Sequence, residues 1–123
     1  MKPYLFVYGT LRRGHPEARR YLADARFVGP GSISGTLYDL GRYPGVRRTR
    51  RRQGRVQGEV YELIAADVNG RLTDIDHYEG SEFRRSRILV HLQDGRRHQA
   101  WAYLLAHAPS TRAREIRSGD YRR

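Results

Sequence analysis

Apolar and polar residues alternate along much of this chain in the short stretches that are typical of β-strands. An unbroken apolar run from Tyr4 to Tyr8 stops at Gly9, which predicts a buried strand followed by a tight turn. Several later stretches repeat every two residues, as a strand with one wetter face does, and predict strands over 32–40, 56–63, 86–92 and 98–105. An Asp94-Gly95 pair between the last two stretches predicts a hairpin turn.

Three segments carry helical signals instead. A short helix is predicted over 16–23, because Pro16 suits the first position of a helix and Glu17 favours its first turn. A second helix is predicted over 65–78, where apolar residues recur three and four positions apart. A last short helix is predicted over 110–117. Mostly antiparallel strands with a few helices indicate the α+β class.

Composition narrows the class of protein. A chain of 123 residues, 38% of them hydrophobic, suits one domain, predicted to span 1–123. No apolar run approaches the roughly 18 to 20 residues of a membrane span, and no cleavage site of the secretory type follows the N-terminus. The absence of cysteine excludes a disulfide framework, a thiolate metal site and a thiol nucleophile. A reducing, cytoplasmic location is therefore expected.

The net charge of +11 suggests a second possible class of protein, the nucleic-acid binders. The densest basic run lies between Arg47 and Arg55 and predicts a flexible loop. No helix-turn-helix, RNA-binding or zinc pattern accompanies the run, and the histidines show no paired metal spacing. Nonspecific contact with nucleic acid is the form of this alternative that the sequence leaves open.

One carboxylate falls on the apolar stripe of the second predicted helix. Leu72, Ile75 and Glu79 follow one another at spacings of three and four, so Glu79 is predicted to face inward. The helix is expected to stop at Gly80, where the negative end of the helix dipole and partial burial would both raise a carboxyl pKa. Such a group suits proton transfer near neutral pH. A solvated glutamate on the last turn remains the alternative.

The turn after the first predicted strand is a candidate binding loop. In Tyr8-Gly9-Thr10-Leu11-Arg12 the glycine allows consecutive backbone N–H groups to point toward one place. Such a nest can hold an anion or a developing oxyanion. An ordinary turn at the end of a strand explains the same residues. The pattern alone therefore leaves open whether this segment is a binding loop or only a turn.

Several short motifs, taken in order, resemble the gamma-glutamylcyclotransferase-like (AIG2-like) family. They cover nearly the whole chain and comprise Tyr8-Gly9-Thr10-Leu11-Arg12, Gly41-Arg42-Tyr43-Pro44-Gly45, Val56-Gln57-Gly58-Glu59-Val60-Tyr61, Tyr78-Glu79-Gly80, then Trp101 and Tyr103, and Ser118-Gly119-Asp120-Tyr121. The match is nearest to the short bacterial members and to the gamma-glutamylamine cyclotransferase branch.

The resemblance implies a small mixed β-barrel, mostly antiparallel, with peripheral helices. It implies that Tyr8, Gly9, Thr10 and Leu11 bind substrate and that Glu79 is catalytic. The implied reaction cyclises the gamma-glutamyl group of an amine or amino acid to 5-oxoproline and frees the amine. The resemblance further implies neither a metal nor an organic cofactor. The sequence itself, without a membrane-spanning run or a nucleic-acid-binding motif, predicts no membrane partner and no specific nucleic-acid partner.

Two departures from the family pattern bear on this expectation. Some short members lack the first glutamate and keep one at the position of Glu82, which makes Glu82 the second candidate base. Phe83 stands where the family often has tyrosine, so a hydroxyl contact is absent. A member of the fold that binds a small ligand without turnover is a further alternative. Glutathione, a gamma-glutamyl amine or a biosynthetic intermediate could each be the substrate, and the oligomeric state is open.

Other residues near the motifs have ordinary explanations. His77 lies two residues off the Glu79 stripe and is predicted to be a surface histidine. The turn Tyr43-Pro44-Gly45 needs no ligand to explain it and is left outside the predicted site. Tyr121 is either a lid over the site or part of a frayed tail.

Overall fold

Eight strands and two helices make up the computed structural model, which describes residues 2–48 and 54–121. Along the chain they are β1 (Tyr4–Val7), α1 (Pro16–Leu22), β2 (Arg26–Ser34), β3 (Thr36–Asp39), β4 (Pro44–Arg47), β5 (Arg55–Glu62), α2 (Val68–Glu79), β6 (Phe83–Leu92), β7 (Arg97–Leu105) and β8 (Arg114–Glu115). A single 3-10 turn, Ala65–Asp67, leads into α2. The elements confirm the predicted α+β class.

Five of the strands close a barrel in the order β1-β5-β2-β6-β7. Neighbouring strands are antiparallel except where the barrel closes, because β1 runs parallel to β7 with Leu5 opposite Trp101. The other three strands form a small sheet in the order β4-β3-β8. The mixed, mostly antiparallel barrel with peripheral helices is the architecture that the sequence predicted.

The apolar run of β1 is explained by its burial on both faces. Phe6 and its alternate neighbours point into the barrel interior, where they join one hydrophobic cluster. Leu5 and Val7 point outward into a second cluster that includes Leu72 and Ile75 of α2. A strand covered on both faces needs no alternation of polar residues. This packing places the end of β1 beside the end of α2.

The strand predicted over 32–40 is two strands in different sheets. The chain bends at Gly35, so that β2 stays in the barrel and β3 enters the small sheet. A Cβ at Gly35 would lie 2.7 Å from Val46 Cγ1 and 3.0 Å from Arg47 O, so only glycine allows β4 to approach this closely. Period-two alternation continues through such a bend, which is why the sequence did not reveal it.

The helix predicted over 110–117 is wrong, and a short strand takes its place. β8 pairs with β3, with Glu115 opposite Tyr38. The N–H of Ile116 donates to Leu37 O at 2.7 Å. Backbone hydrogen bonds to an available sheet edge have outweighed the weak local preference for helix. The opposite neighbour of β3 is β4, which the sequence interpretation treated as a turn.

The remaining predictions hold closely. The Asp94-Gly95 hairpin is confirmed, with Gly95 at φ 95° and the N–H of Arg96 donating to Asp94 Oδ1 at 3.0 Å. Arg47 ends β4 and Arg55 begins β5, while most of the predicted basic loop lies outside the described residues. Within 2–48 and 54–121 neither helix is long and apolar enough to cross a membrane.

Candidate functional site

A cavity of about 410 Å³ opens where β1 and α2 end side by side. Its walls include the residues of the predicted loop, Tyr8, Gly9, Thr10 and Leu11, together with Glu79. Residues more than sixty positions apart in the chain therefore meet, because β1 and α2 share the second hydrophobic cluster. All five predicted site residues line this one cavity.

Glu79 is the last residue of α2 and lies half-buried on the stripe that carries Leu72 and Ile75. The helix stops at Gly80, whose φ of 81° suits glycine and whose N–H donates to Asp76 O. Loss of hydration on burial raises the pKa of Glu79 from about 4.5 to about 7. No described residue forms a hydrogen bond or an ion pair with this carboxylate, so it is available to a ligand.

The predicted loop forms a closed turn against the far wall of the cavity. The N–H of Arg12 donates to Gly9 O at 3.0 Å, and Thr10 Oγ1 lies 2.6 Å from the hydroxyl of Tyr78, the residue before Glu79. In the part of the chain that the structure describes, no hydrogen bond uses the N–H of Gly9, Thr10 or Leu11. These groups can serve a bound anion.

Two buried tyrosines form the floor between loop and helix. The hydroxyl of Tyr8 donates to Tyr103 O at 2.6 Å, and the hydroxyl of Tyr103 donates to the carboxylate of Asp76. Burial, followed by the charge of Glu79, raises the pKa of Tyr8 well above its ordinary value. Tyr8 is therefore a neutral wall residue near the Glu79 carboxylate at all ordinary pH values.

The opposite rim contains residues that the sequence interpretation left outside the site. Tyr43 and Pro44 line the cavity beside Arg42, and the Tyr43 ring lies 5.9 Å from the ring of Phe83. The Tyr43 motif was visible in the sequence, but nothing local shows that β4 brings it across to the end of β1. The three-dimensional structure shows it, because a Cβ at Gly9 would lie only 2.8 Å from Pro44 Cγ.

Comparison with known proteins shows the family of this chain. The sequence model of the family described as gamma-glutamyl cyclotransferase, AIG2-like, matches residues 5–123. The chain belongs to this family.

Proteins from several organisms are similar to this chain. A Methanocaldococcus jannaschii protein, provisionally named a gamma-glutamylcyclotransferase, is 31% identical over 97% of this chain and 95% of its own length. The gamma-L-glutamyl-butirosin B gamma-glutamyl cyclotransferase of Niallia circulans is 33% identical over 83% of this chain and 66% of its own. A mouse AIG2-like protein of known structure superposes with a TM-score of 0.73, at 29% identity over 88% of this chain and 80% of its own.

Glu82, the second candidate for the catalytic base, does not face the cavity. Glu82 is exposed, accepts a hydrogen bond from the hydroxyl of Tyr43, and lies outside the walls of the cavity. His77 is exposed, as expected of a surface histidine. No group of three or more His, Asp or Glu side chains within 2–48 and 54–121 is arranged to hold a metal ion.

Tyr121 is neither a lid nor part of a frayed tail. Its side chain is 5% exposed and belongs to the hydrophobic cluster inside the barrel. Burial of a large aromatic side chain supplies enough hydrophobic free energy to hold a terminal segment in place. Tyr121, the last residue of its family motif, is therefore part of the barrel core.

The buried carboxyl predicts a pH-dependent effect on stability. Because the pKa of Glu79 is higher in the folded protein than in the unfolded chain, the folded state binds more protons between about pH 4.5 and 7, and the free energy of unfolding falls as the pH rises through that range. We expect Glu79→Gln to raise the free energy of unfolding at pH 8 by on the order of 2 kcal/mol, and to change it little at pH 4.

Urea unfolding at pH 4 and pH 8 measures the increase in the free energy of unfolding caused by Glu79→Gln, with the exposed Glu82→Gln as the reference variant. An equal gain at pH 4 and pH 8 would show that charge burial is not its cause.

Proposed function

We propose that this chain cyclises the gamma-glutamyl group of a gamma-glutamyl amine or amino acid, releasing 5-oxoproline and the free amine. The observation that carries the proposal is the half-buried Glu79, with a pKa of about 7 and no bond to its carboxylate from any described residue. It shares one cavity with the N–H groups of the Gly9–Leu11 turn, which no hydrogen bond among the described residues uses. A proton carrier and an oxyanion site are what an acyl transfer to an internal amine requires.

The first step is proton removal. The Glu79 carboxylate takes one proton from the alpha-ammonium group of the substrate, which leaves a neutral amine with a free electron pair. A carboxyl pKa near 7 makes Glu79 a stronger base than an exposed glutamate while keeping it about half ionised at neutral pH. Tyr8, neutral and buried beside it, adds no competing charge.

Ring closure follows within one molecule. The alpha-amine nitrogen attacks the gamma-carbonyl carbon, a carbon–nitrogen bond forms, and the carbonyl electron pair moves onto oxygen. The enzyme has to hold the folded conformer of the substrate, which is where orientation contributes most to rate. The N–H groups of Gly9, Thr10 and Leu11 hold either the developing oxyanion or the substrate alpha-carboxylate.

The last step uses the proton that Glu79 received. As the tetrahedral intermediate collapses, the bond to the original amide nitrogen breaks and Glu79 returns its proton to that nitrogen. The ring nitrogen, which became positively charged when it attacked, gives its extra proton to the departing amine, which leaves as an ammonium ion. The same carboxyl is thus base and then acid, and it ends the cycle ionised. The hydrogen bond between Thr10 and Tyr78 supports this sequence, since it ties the loop to the helix turn that presents Glu79.

The relatives support an amine as the leaving group. The name of the Niallia circulans relative gives gamma-L-glutamyl-butirosin B, a gamma-glutamyl conjugate, as its substrate.

The absence of cysteine is consistent with catalysis in a reducing, cytoplasmic compartment.

A mass-spectrometric screen for 5-oxoproline release tests the proposal. The purified chain is incubated with gamma-glutamyl amines, gamma-glutamyl amino acids and glutathione, beside its Glu79→Gln variant. Release by the wild type alone supports the proposal and names the leaving group. Binding of a panel compound without release would instead favour a ligand-binding member of the fold, and release by both proteins would remove Glu79 from the mechanism.

The pKa of Glu79 predicts the acidic limb of the rate profile. Because the base must be ionised in the free enzyme, we expect kcat/KM to rise with pH and to level off above about pH 7. Below about pH 6 it should fall by about tenfold for each pH unit. Initial rates between pH 5 and 8.5 at fixed ionic strength measure the profile. An acidic limb centred near pH 4.5 would contradict a buried Glu79 as the base.

A further inference from the structure

The last described residues, 118–121, run along the barrel toward the cavity and are named the C-terminal strap below. The N–H of Gln57 donates to Gly119 O at 2.7 Å, which attaches the strap to the first residues of β5. Gly119 has a φ of 72°, and a Cβ there would collide with the carbonyl oxygen of Arg55. Only glycine permits so close an approach of two backbones. The strap therefore has one defined path.

Arg12 joins the strap to the candidate binding loop. Its guanidinium donates from Nη1 to Asp120 Oδ1 at 2.5 Å and to Tyr121 O at 3.1 Å. The side chains of Arg12 and Asp120 are only 17% and 21% exposed, so water screens the pair less than it would a surface ion pair. The N–H of Arg12 also closes the turn onto Gly9 O. The guanidinium contact thus holds the residue that ends the loop.

The strap also reaches the opposite wall of the cavity. The Tyr121 ring is buried in the barrel interior together with Tyr8, and its hydroxyl donates to Arg42 O at 3.4 Å. Arg42 and Tyr43 line the rim that faces the loop. One short segment therefore contacts both the loop that offers its N–H groups and the turn across from it.

We infer that Arg12 is a positioning residue for the proposed reaction. Through Asp120 and Tyr121 of the C-terminal strap, it fixes the loop of Gly9, Thr10 and Leu11 at the distance from Glu79 that the chemistry needs. The inference rests on the proposed function for its effect on rate, but its effect on the loop is independent of turnover. Arg12 itself is not among the residues that line the cavity, so its effect on the reaction has to pass through the loop.

Removal of the Arg12 guanidinium is expected to affect the orientation of the loop rather than the surface that binds substrate. Without the guanidinium contact, the loop keeps its residues but gains freedom, and small displacements of aligned groups reduce rate strongly. We expect Arg12→Gln and Asp120→Asn each to lower kcat by about tenfold with KM changed less than threefold. The double variant should be about as slow as Arg12→Gln alone, because that change already removes the guanidinium contact with Asp120 together with the one to Tyr121 O.

Hydrogen exchange provides the second readout. Exchange of the backbone amide of residue 12, which is hydrogen-bonded to Gly9 O, should become faster in both variants while exchange in β6 and β7 stays unchanged. Arg26→Gln is the matched control, since it breaks the Arg26–Glu62 ion pair of 2.6 Å on the barrel surface without touching the cavity. It should alter neither kcat nor loop exchange.

The outcomes separate the two proposals. Faster loop exchange together with a lower kcat supports the positioning role of Arg12. Faster loop exchange in a protein that turns over no compound of the panel also supports that role, but the proposed function then fails. Loop exchange and kcat both within twofold of wild type would overturn the inference. Faster exchange throughout the barrel would also overturn it, because the contact would then serve general stability. If Arg12→Gln fails to fold, the isosteric Asp120→Asn decides between these outcomes.

Discussion

Replacement of Glu79 by glutamine lowers kcat for 5-oxoproline release by about 10²- to 10⁴-fold, the usual contribution of a positioned acid–base group. Glutamine keeps the shape of the side chain and can neither accept the alpha-ammonium proton nor return it to the leaving amine. Binding should persist, because the cavity walls and the loop N–H groups are untouched. The measurement is steady-state release on the best substrate of the panel, with KM determined separately.

Glu82 supplies the matched control for that experiment. It stands three residues further along the chain, is exposed, and accepts a hydrogen bond from Tyr43. Glu82→Gln is therefore expected to keep kcat within about threefold of wild type, as a group outside the reacting atoms should. The reverse result, an active Glu79→Gln and an inactive Glu82→Gln, would transfer the role of base to Glu82.

Gly9→Ala is expected to lower kcat/KM by about 100-fold, through the position of the loop. A Cβ at Gly9 would lie 2.8 Å from Pro44 Cγ and 3.0 Å from Pro44 Cδ. Pro44 is buried and its ring is rigid, so the loop has to yield rather than the proline. A shift of the loop moves all of its N–H groups relative to Glu79.

Pro44→Ala should restore much of the activity lost in Gly9→Ala. Alanine lacks the Cγ and Cδ atoms that the new methyl group would meet, so the double variant relieves the collision that the single variant creates. Recovery of at least tenfold in kcat/KM would show that the two walls are set by direct contact. A double variant as slow as Gly9→Ala would instead indicate that the glycine matters for another reason, and the steric explanation would fail.

Local pattern predicted much of the barrel. The strands 56–63, 86–92 and 98–105 lie close to β5, β6 and β7, and the helix over 65–78 corresponds to the 3-10 turn and α2. Side-chain alternation and turn residues are properties of neighbours in sequence, so they can be read there. The split at Gly35 and the pairing of β8 with β3 depend on strands elsewhere in the chain, and the predictions over 32–40 and 110–117 failed for that reason.

In the candidate site, too, some features could be predicted from local sequence and others depend on distant segments. Glu79 was found from its spacing to Leu72 and Ile75, and the loop at Gly9 from the end of an apolar run; both signals are local. Tyr43 and Pro44 were dismissed as a turn, although β4 carries them to the facing wall. The burial that raises the pKa of Glu79 was expected in direction. That no residue within 2–48 and 54–121 bonds to its carboxylate could be seen only in three dimensions.

The sequence by itself determined the α+β class, most strand and helix positions, the family motifs and the identity of the proton-carrying candidate. These depend on periodicity and on residue type, which are fixed by covalent order. The tertiary structure alone decided that β1 and α2 end side by side, that the two rims meet at Gly9 and Pro44, and that Tyr121 is buried with its carbonyl oxygen in contact with Arg12. Those facts follow from burial of apolar surface between distant segments, and no local pattern encodes which distant segment will be the partner.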